Sequence, residues 1–395
     1  MAQLLLDISR TVARARLPAP TGIDRVERAY IQWVLDRGGA FLAGFDGFQH
    51  LVGPETVREL VGWLDNGQRA PGLDLRSQLR PQRDQRLRRA QSLIRRKAVQ
   101  RCRADELPGE NLKGIQTYLN VGHDNLDPAI VNAVRKAGVR TAVLIHDTIP
   151  LDHPEFTRDG AGERFARFLN TAGQSDLVLA NSAHTASRLS HYLPQKTAIT
   201  APLGIERSAT ATSIDGKASF LILGTIEPRK NHAMLLDIWE GFGTGPSVPH
   251  LHIVGRRGWK NERLFQRLDT SPIIADTVHE LGPLDDIALA MEVASARAVL
   301  FPSFAEGYGL PLGEALAAGT PVIASDLSAL RDVGKDVPEY LPPDDQDAWR
   351  KSIKAYADPR SVEREAQLKR LGGWTAPTWS QHFQIVEAAL QEIAT

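Results

Sequence analysis

The sequence predicts an α/β protein of two doubly wound parallel-sheet domains that face a common cleft. Three observations point there. Short β-branched or aliphatic runs alternate with helix-period segments, the pattern of parallel strands sheathed by helices. The alternation stops near residue 205, passes through the small, polar, non-periodic IERSATATSIDGKAS, and then begins again. The length of 395 residues exceeds what one hydrophobic core ordinarily serves.

In the first half the expected strands are LLLDIS (4–9), AFLAGF (40–45), QTYLNV (116–121), TAVLIHD (141–147), LVLAN (177–181) and TAITAP (197–202). Helical stretches separate them: RVERAYIQWVLDR, PAIVNAVRKAG, RFARFLNTAG and HTASRLSHYL. In the second half the strands are FLILGT (220–225), HLHIVG (250–255), VHELG (278–282), AVLFPS (298–303), PVIASD (321–326) and EYLPP (339–343). The boundaries follow: an N-terminal domain over 1–205, a linker over 206–217, a second domain over 218–375, and an amphipathic helix over 376–395 able to pack on either domain. Ligands of such sheets bind at the carboxyl ends of strands. Most of the unusual residues below follow strands.

Bulk composition narrows the class. Hydrophobic content of 42% and charge of 24% are those of an ordinary globular protein. The 47 basic and 47 acidic residues balance. One cysteine, Cys102, excludes an internal disulfide and a cysteine-built zinc site and suits a reducing cytosol. MAQLLLDISR is too short, and too soon interrupted by Asp7, for a signal peptide. No apolar run approaches the ~20 residues of a membrane span.

Four constellations stand at predicted strand ends. In FPSFAEGYGLPLGEALAAGTPVIASD, Gly307 and Gly309 allow close backbone approach, and Leu312 to Ala318 is helix-forming, with Gly319-Thr320-Pro321 as its stop. A helix N-terminus behind a glycine turn suits an anion. Glu306 and Glu314 are placed to accept hydrogen bonds from hydroxyls, although alone the segment reads equally as a turn with surface carboxylates. In LGTIEPRKNH (223–232), Arg229 and Lys230 suit a diphosphate, one as a fork and one as a point charge, or else form a solvated loop. TAVLIHDTIPLDHPEF delivers His146 and Asp147 to the cleft, or His146 is structural. In PAPTGIDRVERAY, Arg25 either reaches an anionic acceptor or belongs to an ordinary helix start with Asp24 in its first turn.

E-G-Y-G-L-P-L-G-E resembles the E-x7-E signature of retaining glycosyltransferases of family 4, which have the GT-B fold. The resemblance implies that Glu306 lies by the donor sugar, that the amides of Gly307, Tyr308, Gly309 and Leu310 meet sugar and phosphate, and that Glu314 binds ribose. GTIEPRKN is similar to the family's phosphate turn, implying donor contacts from Gly224, Thr225, Arg229 and Lys230. Many members carry an arginine where this chain has Thr225, which shifts load to Arg229. HDTIPLDHPE looks like the segment whose histidine borders donor sugar and acceptor. His146 is then a catalytic-site residue contributing hydrogen bonds, with Asp147 and Arg25 on the acceptor side. Thr21-Gly22-Ile23 resembles the N-terminal glycine loop, placing Gly22 over the donor phosphate or acceptor.

The implied reaction moves a hexose from a nucleotide diphosphate sugar to a hydroxyl of a glycan or polyprenyl-linked acceptor. The two motifs together look most like mannosyltransferases that build bacterial surface polysaccharides, so GDP-mannose is the favoured donor and a UDP-sugar the alternative. No cofactor and no metal are expected. Asp345-Gln346-Asp347 spells D-x-D, but its place after Pro342-Pro343 reads as an acidic helix start. The rival readings are a GT-B epimerase or polymerase and a non-catalytic scaffold that keeps the nucleotide-sugar pocket.

The block from 75 to 103 carries eleven arginines and lysines against Asp84 and makes an insertion over about 75–106. Leu87, Ile94, Ala98 and Cys102 fall near helical spacing, so part of the block is expected to form a basic amphipathic helix suited to an anionic membrane surface, or the block is a disordered or solvated insertion. It lacks the aromatic interleaving of a nucleic-acid site, and no nucleic-acid partner is expected. The location expected is cytoplasmic, peripheral at the inner face of the membrane if the basic helix docks there.

Overall fold

The computed structural model describes residues 3–17, 20–107, 109–206 and 219–394; apart from Glu206, the expected linker lies outside them, as do Pro18 and Ala19 of the PAPTGIDRVERAY segment. The first domain holds eight strands: β1 (Gln3–Asp7), β2 (Ala40–Phe45), β3 (Phe48–Val52), β4 (Gln100–Cys102), β5 (Ile115–Asn120), β6 (Arg140–Ile145), β7 (Leu177–Ala180) and β8 (Ile199–Thr200). Their order is β4-β3-β2-β1-β5-β6-β7-β8. β2–β3 and β3–β4 are antiparallel and the remaining pairs parallel.

The second sheet contains β9 (Ser219–Leu223), β10 (His250–Val254), β11 (Val278–Gly282), β12 (Ala298–Phe301), β13 (Val322–Ser325) and β14 (Glu339–Leu341). Its order, β11-β10-β9-β12-β13-β14, is all parallel and reverses direction between β9 and β12. The first sheet reverses likewise between β1 and β5. Crevices form where the order reverses, and the two open toward each other.

Both sheets are buried on two faces, which is why strands such as AVLF and VIAS are apolar throughout. One cluster of buried side chains runs through Leu203, Ile205 and Tyr308 to Leu312, so apolar packing is continuous across the domain seam. Trp239, Trp349 and Tyr356 fill the outer face of the second sheet. The Trp379–Ala394 helix returns to the first domain. There Phe383 stacks on Trp33 with ring centroids 4.6 Å apart. His382 Nδ1 donates to the Ala201 carbonyl at 3.1 Å, which leaves Nε2 to accept from the Tyr30 hydroxyl at 2.9 Å.

Two strands go beyond the sequence expectation. β3 is interrupted by the polar Gln49 and His50, so it lacks an apolar run. Its signal is Asp46-Gly47, both at positive φ (53° and 77°), the two-residue hairpin loop that joins β2 to β3. β4 corrects the reading of the basic block. Helices in the block cover Leu75–Gln78 and Gln85–Lys97, and Cys102 lies on β4, not on a helix. Ala90, Leu93 and Ile94 are buried in the first domain's core, so the block is an integral part of that domain and not a disordered or fully solvated insertion.

Its charges are largely engaged internally. Asp46, at the hairpin tip, receives Arg80 at 2.8 Å and Arg83 at 2.9 Å. Arg95 binds Asp74 at 2.7 Å, and Arg86 donates to the Ala15 carbonyl at 2.9 Å. Among the described residues no helix is long and apolar enough to cross a membrane.

Candidate functional site

Every candidate residue named from the sequence lines one cavity of about 550 Å³ between the two domains. The carboxyl ends of β1, β6, β9, β10 and β12 surround it, as the order reversals require.

Glu306 is the most constrained member. Lys230 Nζ lies 2.6 Å from its Oε1 and Arg229 Nη1 2.8 Å from its Oε2. The Ser303 hydroxyl donates to Oε1 at 2.8 Å. Burial opposes ionisation, but the charges of Arg229 and Lys230 outweigh it and hold the carboxyl down at about 2. Arg229 is held from several directions: its Nε and Nη2 donate to Glu227 at 3.0 and 2.7 Å, and Nη1 to the Ala305 carbonyl at 2.6 Å. The basic pair therefore sits among two carboxylates, locked in place by the turn after β9 and the loop after β12.

Two glycines of that loop are required sterically. A Cβ on Gly307 would come within 2.3 Å of the His146 carbonyl, so the loops of the two domains meet backbone to backbone. Ser182 Oγ donates to the Gly307 carbonyl at 2.8 Å and reinforces the contact. Gly309, at φ 100°, opens the Leu310–Ala317 helix from a left-handed conformation that side chains disfavour.

Glu314 lies one turn into that helix and is almost fully enclosed. Burial pushes its carboxyl up from the ordinary range, while Arg25 Nη1 at 2.5 Å pulls it back. Arg25 therefore addresses Glu314, whereas Asp147, with which the sequence grouped it, faces the charges of Arg229 and Glu306. Tyr308 contributes a wall, but its hydroxyl donates to the Leu203 carbonyl at 2.7 Å and braces the seam. Gly22 begins the Gly22–Leu35 helix, whose N-terminus Thr21 and Asp24 cap reciprocally: the Thr21 backbone N–H donates to Asp24 at 2.8 Å.

His146 is buried, with Nε2 2.7 Å from the Val121 carbonyl. A carbonyl only accepts, so Nε2 carries the proton and Nδ1 is left as an acceptor. Burial pushes its pKa down to about 4 despite that bond, so the ring is neutral at pH 7. Burial raises the Asp147 carboxyl, with the Arg229 charge opposing.

Sequence reasoning missed several walls of the cavity. Arg10 follows β1, Asn181 follows β7, and Arg256 and Trp259 follow β10. Their position after strands was the available signal; no motif marked them. Asn181 Nδ2 donates to the His146 carbonyl at 2.9 Å, and Trp259 Nε1 reaches across the seam to the Phe156 carbonyl at 3.0 Å. The D-x-D at 345–347 is a helix start: Asp345 accepts from the Ala348 N–H at 3.0 Å and Asp347 pairs with Arg350 at 2.6 Å. Among the described residues no group of three or more His, Cys, Asp or Glu is gathered closely enough to hold a metal ion.

Two doubly wound domains closing on a cavity at their order reversals are the GT-B fold. The chain superposes with a TM-score of 0.66 on Anabaena Alr3699/HepE, solved in complex with UDP-glucose, at 14% identity over 98% of this chain and 99% of that one. It superposes at 0.56 on sucrose-phosphate synthase from Thermosynechococcus elongatus, at 18% identity over 73% of this chain and 77% of that one.

Residues 217–358 match the family described as Glycosyl transferases group 1. Among curated relatives, a serotype-specific mannosyltransferase WbdA of Escherichia coli is 29% identical over 288 residues, 67% of this chain and 35% of the relative. The O-antigen chain mannosyltransferase B of Escherichia coli is 35% identical over 129 residues, 32% of this chain and 34% of the relative. The chain spans about a third of the length of the curated relatives it matches.

Proposed function

We propose that this protein is a retaining hexosyltransferase of family 4 that transfers mannose from GDP-mannose to a hydroxyl of a surface-polysaccharide acceptor, without a metal. The observation that carries the reading is the pinning of Glu306 by Arg229, Lys230 and Ser303 in the cavity that Glu314 also lines. A nucleotide diphosphate sugar has hydroxyls at its sugar end and on its ribose, with anionic charge between. The cavity offers the carboxylates of Glu306 and Glu314 for hydroxyls, and the cations Arg229 and Lys230 with the Leu310 helix N-terminus for the anionic charge.

In this reading the ribose hydroxyls replace Arg25 on Glu314. The diphosphate lies against the Leu310 helix N-terminus, Arg229 and Lys230, and the hexose sits between Glu306 and neutral His146. The bond from C1 to the diphosphate oxygen breaks with its electron pair leaving on the diphosphate, where Arg229 and Lys230 stabilise it. The acceptor oxygen bonds to C1 from the same face, and its proton passes to the departing diphosphate. The mannosyltransferase relatives support mannose as the sugar. The UDP and UDP-glucose complexes of the Anabaena neighbour support a UDP-sugar as the alternative donor. Glycan or polyprenyl-linked acceptors at the cytoplasmic membrane face complete the proposal.

The test is donor turnover: purified protein is incubated with GDP-mannose or UDP-glucose, and released nucleotide and anomeric product are followed by NMR. Release of GDP with an α-configured product supports the reading. Bound nucleotide with no release and no transfer to any acceptor favours the scaffold reading.

A further inference from the structure

Most of the positive charge lining the donor cavity is already balanced. Arg25 is paired with Glu314, Lys230 with Glu306, and Arg229 with both Glu227 and Glu306. Arg10 shares Asp24 with Arg14, at 2.6 and 3.3 Å, and has Asp124 at 3.9 Å. Arg256 differs from all of these. It lines the same cavity, but among the described residues its side chain has neither a hydrogen bond nor an ion pair.

We propose that Arg256 binds the diphosphate of the donor, as a fork on its phosphate oxygens, and supplies the net positive charge that Arg229 and Lys230 do not. The proposal rests on the donor reading above and adds a residue to it. A nucleotide diphosphate sugar carries a negative charge on each phosphate. Cations whose charge is cancelled by adjacent carboxylates offer it little net attraction, whereas an unpaired guanidinium offers both charge and a matching pair of donors.

Backbone pairing carries Arg256 to this position. The Gly224 N–H donates to the Val254 carbonyl at 2.9 Å, the Ile226 N–H to the Arg256 carbonyl at 2.8 Å, and the Gly258 N–H to the Ile226 carbonyl at 3.0 Å. The loop after β10 is thereby laced to the turn that carries Arg229 and Lys230. Neither glycine beside the two arginines has room for a side chain: a Cβ on Gly255 would overlap the Gly224 carbonyl, and one on Gly258 would lie 2.7 Å from the Ile226 carbonyl oxygen. Arg257 shows the alternative fate of an arginine in this loop. It is exposed, bound by Asp269 at 2.9 Å and Glu280 at 2.8 Å, and does not line the cavity. Arg256 instead lies near the first domain. Burial lowers the Arg14 pKa, and the like charges of Arg10 and Arg256 add to the fall. Arg14 donates to the Thr21 hydroxyl at 3.2 Å, so the unpaired charge stands toward the start of the Gly22–Leu35 helix.

The test is calorimetry on the full chain with GDP and UDP, and competition against them by guanosine, uridine and inorganic pyrophosphate. Arg256→Gln keeps the size of the side chain and removes its charge. It should weaken the preferred nucleoside diphosphate about 10- to 100-fold, weaken pyrophosphate alongside it, and leave the nucleosides unchanged. Arg256→Lys, which keeps the charge but not the fork, should lose less than Arg256→Gln. Arg257→Ala should bind nucleotide as the wild type does. The proposal is overturned, with the donor reading intact, if Arg256→Gln binds the nucleoside diphosphate as tightly as the wild type. It is equally overturned if that variant weakens nucleoside as much as nucleoside diphosphate, which would assign Arg256 to the base, or if Arg257→Ala loses as much as Arg256→Gln. Failure of the wild type to bind either nucleotide would remove the donor reading itself, and this proposal with it.

Discussion

Arg25 of the first domain and Glu314 of the second meet across the cleft, Nη1 to Oε1, at 2.5 Å. The pair closes the end of the cavity where ribose is proposed to bind, so nucleotide has to exchange one partner of Glu314 for another. Glu314→Ala should weaken nucleotide binding by roughly 1–3 kcal/mol, the cost of lost hydrogen bonds to a charged acceptor. Calorimetry with GDP checks this, and an unchanged Kd would remove Glu314 from the ribose site.

The same pair sets a pH dependence. Burial raises the Glu314 pKa above its ordinary 4.5, and Arg25 restrains the rise. Only the ionised carboxylate accepts two ribose hydroxyls. Nucleotide affinity should therefore begin to fall, as pH is lowered, before the ordinary glutamate range is reached. In Arg25→Ala the fall should begin at higher pH still. A Kd–pH profile that is superimposable in the two proteins would contradict this.

Glu306 behaves in the opposite sense. Its pKa is held at about 2 against an ordinary 4.5, so its ionised form stabilises the fold above about 4.5, and that contribution is lost as pH falls toward 2. The stability difference between wild type and Glu306→Gln should be on the order of 3 kcal/mol at pH 7 and shrink through that window. Denaturant titrations at pH 7 and pH 3.5 measure it.

Glu27 gives a third pH signature. Its carboxyl, buried beneath the first domain's order reversal, accepts from the Thr11 hydroxyl through one oxygen, while the other has no hydrogen-bond partner. Burial pushes its pKa up to about 8. The folded state thus holds a proton that the unfolded state releases near 4.5, and stability should decline as pH rises between about 4.5 and 8. Glu27→Gln should flatten that decline and raise the melting temperature at pH 8. An equal slope in both proteins would show that Glu27 is ionised in the fold.

The return of the terminal helix yields a packing test. Tyr30→Phe removes the hydroxyl that His382 Nε2 accepts in a dry site. Stability should drop by about 1–3 kcal/mol, the cost of an unpaired buried acceptor. Thermal unfolding at neutral pH reads the change.

The architecture was legible because parallel strands buried on both faces are apolar along their whole length. LLLD, AVLI, FLIL and AVLF announce themselves. FQHLV does not, since the antiparallel edge admits Gln49 and His50, although Asp46-Gly47 marked the hairpin. At the site, residues beside glycines and charge clusters could be singled out locally. Arg10, Asn181 and Arg256 could not: each is one polar residue after a strand, significant only because a second domain faces it. Nor does composition reveal counter-ions. Asp46, from a distant turn, pairs with Arg76, Arg80 and Arg83 of the 75–103 block, and nothing in the block's own sequence marks it. Arg25 was ambiguous for the same reason, its partner lying in the other domain.

The central claim, that the larger cavity is the donor site, is tested most directly by calorimetric titration of the protein with GDP and with UDP, first without metal and then with magnesium. The account predicts saturable one-to-one binding of GDP in preference to UDP, unchanged by magnesium and lost in Lys230→Ala. Failure of both nucleotides to bind would contradict it.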